Sequence, residues 1–326
     1  MDRPRAPRNR TITLRPEETA AYAARCLKTG GAPFSLAQLE DQVIWGEMEE
    51  AASLLPDSFV DLLLVDPPYN LTKTYGARSF RRMDADRYAG YTRRWLEAIR
   101  HTLKPTASVY LCCDWRTSIT VAPVLEEFFT LRNRITWQRE KGRGARSNWK
   151  NAMEDIWFAT VSAKTYTFHL EAVKQRRRVL APYRREDGTP KDWVEGEQGG
   201  WRDTCPSNFW DDISVPYWSM PENTDHPAQK PEKLFAKLIL ASSNPGDLIF
   251  DPFLGSGTAA VTAKKLGRRF LGIEREEEYC ALAQYRLEQA QTDPRIQGYC
   301  DGVFWERNTQ AMQHAALHPP ASGKKN

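Results

Sequence analysis

The stretch Leu62-Leu63-Leu64-Val65-Asp66-Pro67-Pro68-Tyr69-Asn70 constrains this chain most. Four aliphatic residues in a row read as a strand buried on both faces, as in parallel sheets. Two prolines end it, because proline gives no N–H to a ladder and has a fixed φ. The residue before a proline is pushed to extended geometry, so Asp66 and Pro67 stay stretched. The result is a rigid tip bearing a carboxylate, backbone carbonyls and an aromatic ring. It falls at the carboxyl end of a strand, where open α/β sheets bind ligands.

A carboxylate and a nearby carbonyl are both acceptors, and together they hold both protons of one NH₂ group. Tyr69 offers a face on which a planar ring stacks. That set fits the exocyclic amine of a nucleobase. So short a motif is equally compatible with Asp66 as a helix cap and Tyr69 as packing. The rest of the chain has to decide.

Strands are expected at 42–45, 60–65, 107–112 and 134–137, with helices at 16–26, 48–55, 86–103 and 117–129. This βαβα rhythm predicts a parallel sheet with helices on both faces. Residues 71–84 lack periodicity and read as a loop over the tip. The rhythm breaks at Gln138. Two short strands are expected at 156–161 and 166–168, and 173–224 has no clear period. A long irregular insertion of this kind is usually functional. Order returns with a helix at 232–243 that turns Leu234, Phe235, Leu238 and Ile239 inward. A strand at 248–250, a helix at 259–266 capped by Gly267, a strand at 269–273 and a helix at 276–291 complete the pattern. The end of the chain past about residue 309 is expected to be disordered.

The second motif is Asp251-Pro252-Phe253-Leu254-Gly255-Ser256-Gly257-Thr258. Strand, glycine turn, helix, strand and acid form a nucleotide-binding arrangement. Gly255 and Gly257 let the backbone turn tightly and approach a ligand. The following helix presents free N–H groups to an anion. Glu274 lies about twenty residues on, where an acid takes ribose hydroxyls. The motif departs from dinucleotide sites at Asp251, which would repel a pyrophosphate but suits a cationic ammonium. The Ser256 and Thr258 hydroxyls suit a carboxylate. An amino-acid head with a ribose tail is S-adenosylmethionine.

Composition adds limits. A chain of 326 residues with 41% hydrophobic and 27% charged residues is globular, with room for one large α/β domain or two smaller ones. No window approaches eighteen apolar residues, and Met1-Asp2-Arg3-Pro4-Arg5 has no apolar core behind it, so neither a membrane span nor a secretory signal is expected. The six cysteines form no C-x-x-C pair, so we expect reduced thiols in a cytoplasmic protein and no metal site. The net charge of +4 is modest, but basic residues crowd two stretches, one from Arg132 to Lys150 and one from Lys174 to Lys191. Trp137, Trp149, Trp157, Trp193, Trp201, Trp210 and Trp218 are interleaved with or flank them. Such a mixture suits a phosphate backbone and exposed bases, but taken alone it more often marks a solvated basic surface.

The tip Asp66-Pro67-Pro68-Tyr69, the later Asp251–Thr258 motif and His226-Pro227-Ala228-Gln229-Lys230-Pro231 just before it together resemble the β-class of amino-group DNA methyltransferases. The resemblance covers roughly residues 42–290. It implies a Rossmann-like methyltransferase sheet, circularly permuted in motif order and mostly parallel with one antiparallel strand. It also implies N6-adenine methylation from S-adenosylmethionine on double-stranded DNA, in the manner of bacterial restriction–modification enzymes. Residues 42–137 and 226–291 would form the catalytic domain, 138–225 the target-recognition insertion, 1–41 an N-terminal extension and 292–326 a C-terminal tail. A companion restriction endonuclease and a homodimer are compatible with it.

Carried over by residue, Asp66 and a Pro67 or Pro68 carbonyl would accept from the target amine, and Tyr69 would stack on the flipped base. Asp251, Phe253, Gly255, Ser256, Gly257 and Thr258 would surround the methionine part of the cofactor, Glu274 would hold the ribose, and Lys230 would pair with the cofactor carboxylate. Glu47 stands where the family usually has Asp beside the cofactor adenine, and Ala228 replaces a common Thr. Arg139, Lys141, Arg143, Arg146, Arg176, Arg177 and Arg178 are the candidate DNA contacts. N4-cytosine methylation uses the same chemistry, but the Asp66 position leans to adenine because cytosine enzymes commonly carry Ser there. A nicotinamide oxidoreductase would use the Gly255 turn and Glu274, yet gives no reason for Asp66–Tyr69.

Overall fold

The computed structural model describes residues 6–76, 78–139, 146–179, 183–196 and 199–307. The expected contacts Lys141 and Arg143, and the expected disorder past residue 309, lie outside them. The strands are β1 Leu27–Lys28, β2 Gln42–Trp45, β3 Val60–Val65, β4 Lys73–Tyr75, β5 Arg78–Phe80, β6 Leu103–Cys113, β7 Thr130–Gln138 and β8 Met153–Thr160. They continue as β9 Gln175–Arg178, β10 Val194–Gly196, β11 Gly199–Thr204, β12 Phe209–Trp210, β13 Leu248–Asp251, β14 Arg269–Glu274, β15 Tyr299–Cys300 and β16 Val303–Trp305. The α-helices are α1 Pro16–Ala23, α2 Leu36–Leu39, α3 Met48–Ala52, α4 Ala85–Ile99, α5 Trp115–Phe128, α6 Glu232–Ser242, α7 Thr258–Lys265 and α8 Glu277–Thr292.

Nine strands form the central sheet in the order β1-β2-β14-β13-β3-β6-β8-β7-β12. β3 lies at its heart, between β13 and β6, and pairs parallel with both. Leu62 and Leu64 pack into the apolar layer with α6 and α7, while Leu63 and Val65 pack into the opposite layer with α4. Both faces of the aliphatic run are therefore buried, which is why it shows no alternation. The only reversed strand among those described in this sheet is β8, antiparallel to β6 and β7. This matches the one antiparallel strand that the resemblance implied.

Four expectations need correction. The sheet does not stop at residue 137, because β8 and β12 lie within the span assigned to recognition and complete its edge. Just before the expected strand at 156–161, Glu154 and Asp155 are buried against Arg139, Lys230, Thr136 and Arg134. Residues 166–168 form no strand. Tyr166 and Phe168 instead lay their rings on Phe158, at 6.2 and 5.8 Å between centroids. The span 292–326 is not simply a tail. Val303, Phe304 and Trp305 are buried, and their strand pairs with β9 in a second sheet of order β10-β11-β9-β16-β15. Residues 71–84 also hold a short hairpin, β4–β5.

Helix α6 joins the two parts. Leu234, Phe235, Leu238 and Ile239 enter the central core as expected, and Ala236, Leu240 and Ala241 face Val173, Ile296 and Phe304 on the other side. Its Lys233 and Lys237 are buried, and both ammoniums reach Asp212 at 2.7 Å.

Candidate active site

The parallel strands β2, β3, β13 and β14 deliver their carboxyl ends to one edge of the sheet. Glu47, Asp66, Asp251 and Glu274 follow or end those strands and line one cavity of about 650 Å³. The two sequence motifs, separated by about 185 residues, thus meet in space.

At the tip of β3, Asp66 Oδ2 accepts from the Lys230 ammonium at 2.7 Å. Asp66 Oδ1 is buried and has no hydrogen-bond partner among the described residues. A buried acceptor without a donor is costly, so it marks a place for a ligand proton. The Tyr88 hydroxyl donates to the Pro68 carbonyl at 2.9 Å, which leaves the Pro67 carbonyl as the freer second acceptor. Tyr69 lines the cavity, and its hydroxyl donates to Glu154 Oε2 at 3.2 Å. Burial pushes the Asp66 carboxyl above the usual range, while the Lys230 charge pulls against it.

Lys230 therefore has a partner other than the cofactor carboxylate expected for it. Its ammonium sits 2.7 Å from the partly buried Asp66 and 3.4 Å from the buried Glu154, and is itself buried. A buried ammonium goes where carboxylates already are, because desolvation would otherwise neutralise it.

In the second motif, Gly255 and Gly257 have φ of +55° and +87°. A β-carbon at Gly257 would stand 2.7 Å from the Ala283 side chain, so this glycine lets α8 approach. Gly257 is not among the cavity-lining residues, whereas Asp251, Phe253, Gly255, Ser256 and Thr258 are. The Thr258 hydroxyl is partly committed, since it donates to the Lys230 carbonyl at 3.1 Å and accepts from Arg286 at the same distance. Burial pushes the Asp251 carboxyl well above its ordinary range. Its Oδ1 takes the Phe253 N–H at 3.0 Å. Glu274 is fixed by the backbone N–H groups of Gly255, Arg275 and Glu276, each at 2.8 Å, and burial raises its carboxyl. Glu47 pairs with Arg78 at the cavity rim.

Among the lining residues with no assigned role are Tyr75, Glu154, His226 and Tyr279. His226 Nδ1 accepts from the Ala228 N–H at 3.3 Å, which assigns the ring proton to Nε2. Burial lowers its pKa to about 3, so it is neutral. The hexapeptide His226–Pro231 was the only signal for it. Glu154 had none, because a carboxylate in a strand reads as a solvent-facing position.

The candidate DNA contacts disperse. Arg139 lines the cavity and pairs with Glu154. Arg146 is exposed, and Trp149, three residues on in the sequence, is 93% exposed. Arg176 makes two hydrogen bonds of 2.8 Å to Asp203, Arg177 lies 3.7 Å from Asp211, and Arg178 is exposed at the end of β9. The basic run is thus partly neutralised by Asp203 of its own sheet and by Asp211. No helix among the described residues is long and apolar enough to cross a membrane.

The sequence model of the N6/N4 DNA methylases matches residues 60–285. Type II methyltransferase M.HpaI of Haemophilus parainfluenzae is 32% identical over 252 residues, which is 77% of this chain and 75% of that protein. DNA adenine methyltransferase YhdJ of Escherichia coli (strain K12) is 31% identical over 270 residues, covering 81% and 88%. Among solved structures, the PvuII cytosine-N4-specific DNA methyltransferase superposes with a TM-score of 0.57 at 19% identity, over 78% of this chain and 90% of that one. The Thermus thermophilus modification methylase TTHA0409, complexed with S-adenosyl-L-methionine, gives 0.52 at 18% identity, over 82% and 98%. The structural likeness supports the Rossmann-like fold, and the sequence match covers both motifs and most of the cavity they build: this chain is a DNA methyltransferase of the N6/N4 DNA methylase family.

Proposed function

We propose that this enzyme transfers a methyl group from S-adenosylmethionine to the exocyclic N6 of an adenine turned out of double-stranded DNA at a specific site. The observation that carries the reading is the buried, unpartnered Asp66 Oδ1 beside the Pro67 carbonyl and Tyr69. Two acceptors at that spot favour a pyramidal amine, whose lone pair is then less delocalised into the ring. Tyr69 provides a stacking platform that offsets part of the few kcal/mol needed to unstack a base.

The cavity fits the cofactor. Asp251 suits a cationic ammonium, Phe253 offers an apolar wall, and Glu274 and Glu47 stand where ribose and adenine contacts are expected. Bound S-adenosylmethionine supplies an electrophilic methyl group on a sulfonium that is already a good leaving group. The chain's own residues need to position and to exclude water rather than provide a strong base. Asp66 fits adenine better than cytosine under the family resemblance, and the relative YhdJ is named as an adenine methyltransferase.

The test is chemical. Duplex DNA incubated with the enzyme and S-adenosylmethionine, then digested to nucleosides, should contain N6-methyladenine. N4-methylcytosine without N6-methyladenine would overturn the choice of base. Reading modified positions by single-molecule sequencing of DNA from a host expressing the chain would give the site.

A further inference from the structure

Glu154 enters the cavity from β8, the reversed strand, within the span first expected to recognise DNA. It is only 5% exposed. Three groups converge on its carboxylate: the Arg139 guanidinium, the Tyr69 hydroxyl and the Lys230 ammonium. Two of these are the partners of the methyl-accepting end of the site, since Lys230 also holds Asp66 and Tyr69 is its stacking face. A buried ammonium and a partly exposed guanidinium thus face the buried Glu154 and the partly buried Asp66, two formal positive charges against two negative ones.

We infer that Glu154 is a positioning residue for methyl transfer: it shares the Lys230 ammonium with Asp66 and fixes the Tyr69 hydroxyl, so that Asp66 stays a strong acceptor for the target amine. This rests on the reading of Asp66 as that acceptor. The physical argument is one of competition. An ammonium that serves one carboxylate alone neutralises it; an ammonium drawn toward a second carboxylate leaves the first with more of its charge. The Asp66 Oδ1 that faces no donor is the beneficiary. Other titratable groups also act on Asp66 or feel it, namely Lys73 and Tyr75 on β4, Cys112 on β6 and Asp251 on β13. Among these described residues, none forms an ion pair with Lys230 as Glu154 does. Tyr69 itself favours the charged form of Asp66.

The experiment compares wild type, Glu154→Gln and Glu154→Asp in single-turnover methylation of duplex DNA with tritiated S-adenosylmethionine, across an acidic-to-neutral pH series. Cofactor affinity is measured by calorimetry alongside. In Glu154→Gln, Lys230 turns wholly to Asp66. The plateau rate should fall about tenfold, the acid limb should move about one pH unit lower, and cofactor affinity should stay as in wild type. A role in stability alone would lower the melting temperature and leave the acid limb in place. Glu154→Asp keeps the charge but has a shorter reach, so its acid limb should stay while its plateau falls through loss of the Tyr69 contact. That variant decides the matter if the glutamine form does not fold. An active wild type with either variant equal to it in rate and limb, or with the limb displaced in Glu154→Asp, overturns this inference alone. A wild type that modifies no exocyclic amine overturns the reading of the site, and the inference with it.

Discussion

Burial pushes Asp66 above the usual aspartate range of about 3.9, and Lys230 opposes the rise. The amine needs the ionised form as acceptor. Activity should therefore be lost as pH falls, along an acid limb centred above the ordinary aspartate value. A rate profile with its limb at or below that value would show that Asp66 is not the titrating group. Asp66→Asn keeps the shape and removes the charge, so it should slow methyl transfer about 100-fold or more while cofactor binding, measured by calorimetry, survives. Asp251 has the complementary role. It has capacity beyond the Phe253 N–H, and Asp251→Asn should weaken cofactor binding by roughly 1.5–3 kcal/mol through loss of a charged hydrogen bond. Unchanged affinity would remove Asp251 from the contact.

Among the elements, the glycine turn into α7 separates two uses of glycine. Gly255 brings backbone to the cavity, and Gly257 makes room for α8. Gly257→Ala adds a carbon 2.7 Å from the Ala283 side chain at a φ of +87°. It should cost about 1–3 kcal/mol in urea denaturation, with any loss of cofactor affinity following from displacement of the turn. Strand β9 makes a different prediction. Arg176 is already paired with Asp203, whereas Arg178 is exposed. If β9 meets the phosphate backbone, Arg178→Ala should reduce the salt slope of DNA binding by about one unit, and Arg176→Ala by less. An unchanged slope for Arg178→Ala would make this run a solvated edge.

These elements also show what the sequence displays and what it hides. The β3 tip and the α7 turn were legible because their backbones demand Pro and Gly at fixed places, and those residues stand out. The aliphatic runs of β3 and β13 were legible because both faces are buried. Glu154 was invisible, since its partners Lys230 and Arg139 are distant or belong to another strand. The same holds for Val303–Trp305. A three-residue strand carries almost no period, and its pairing with β9 across more than a hundred residues is a tertiary fact.

For the whole molecule, the α6 lysines bind the parts together. Asp212 comes from the segment after β12, Lys233 also donates to the carbonyls of Asp212 and Trp305, and Lys237 lies 4.9 Å from the Trp210 ring centroid. The two ammoniums hold the Asp212 carboxyl down at about 2, against the cost of its burial. Asp212→Ala would leave two buried cations uncompensated and should cost about 3–5 kcal/mol. Its denaturation should also lose cooperativity, as the second sheet separates from the first. A two-state transition with wild-type midpoint would show that the cluster contributes little.

A backbone hydrogen bond just past the end of β7 bears on how such a protein changes over time. The Arg139 N–H donates to the Ala152 carbonyl at 2.6 Å, directly above the β7–β8 ladder. The chain that leaves β7 and the chain that enters β8 are therefore fastened together at the lip of the cavity. Whatever lies between them starts and finishes at a single gate. Segments of different length or composition can be spliced there at little entropic penalty, since closure cost grows only slowly with loop length. If that segment contacts DNA, a laboratory graft between Arg139 and Ala152 should change the site that is methylated while methyl transfer persists, which sequencing of the modified positions would read.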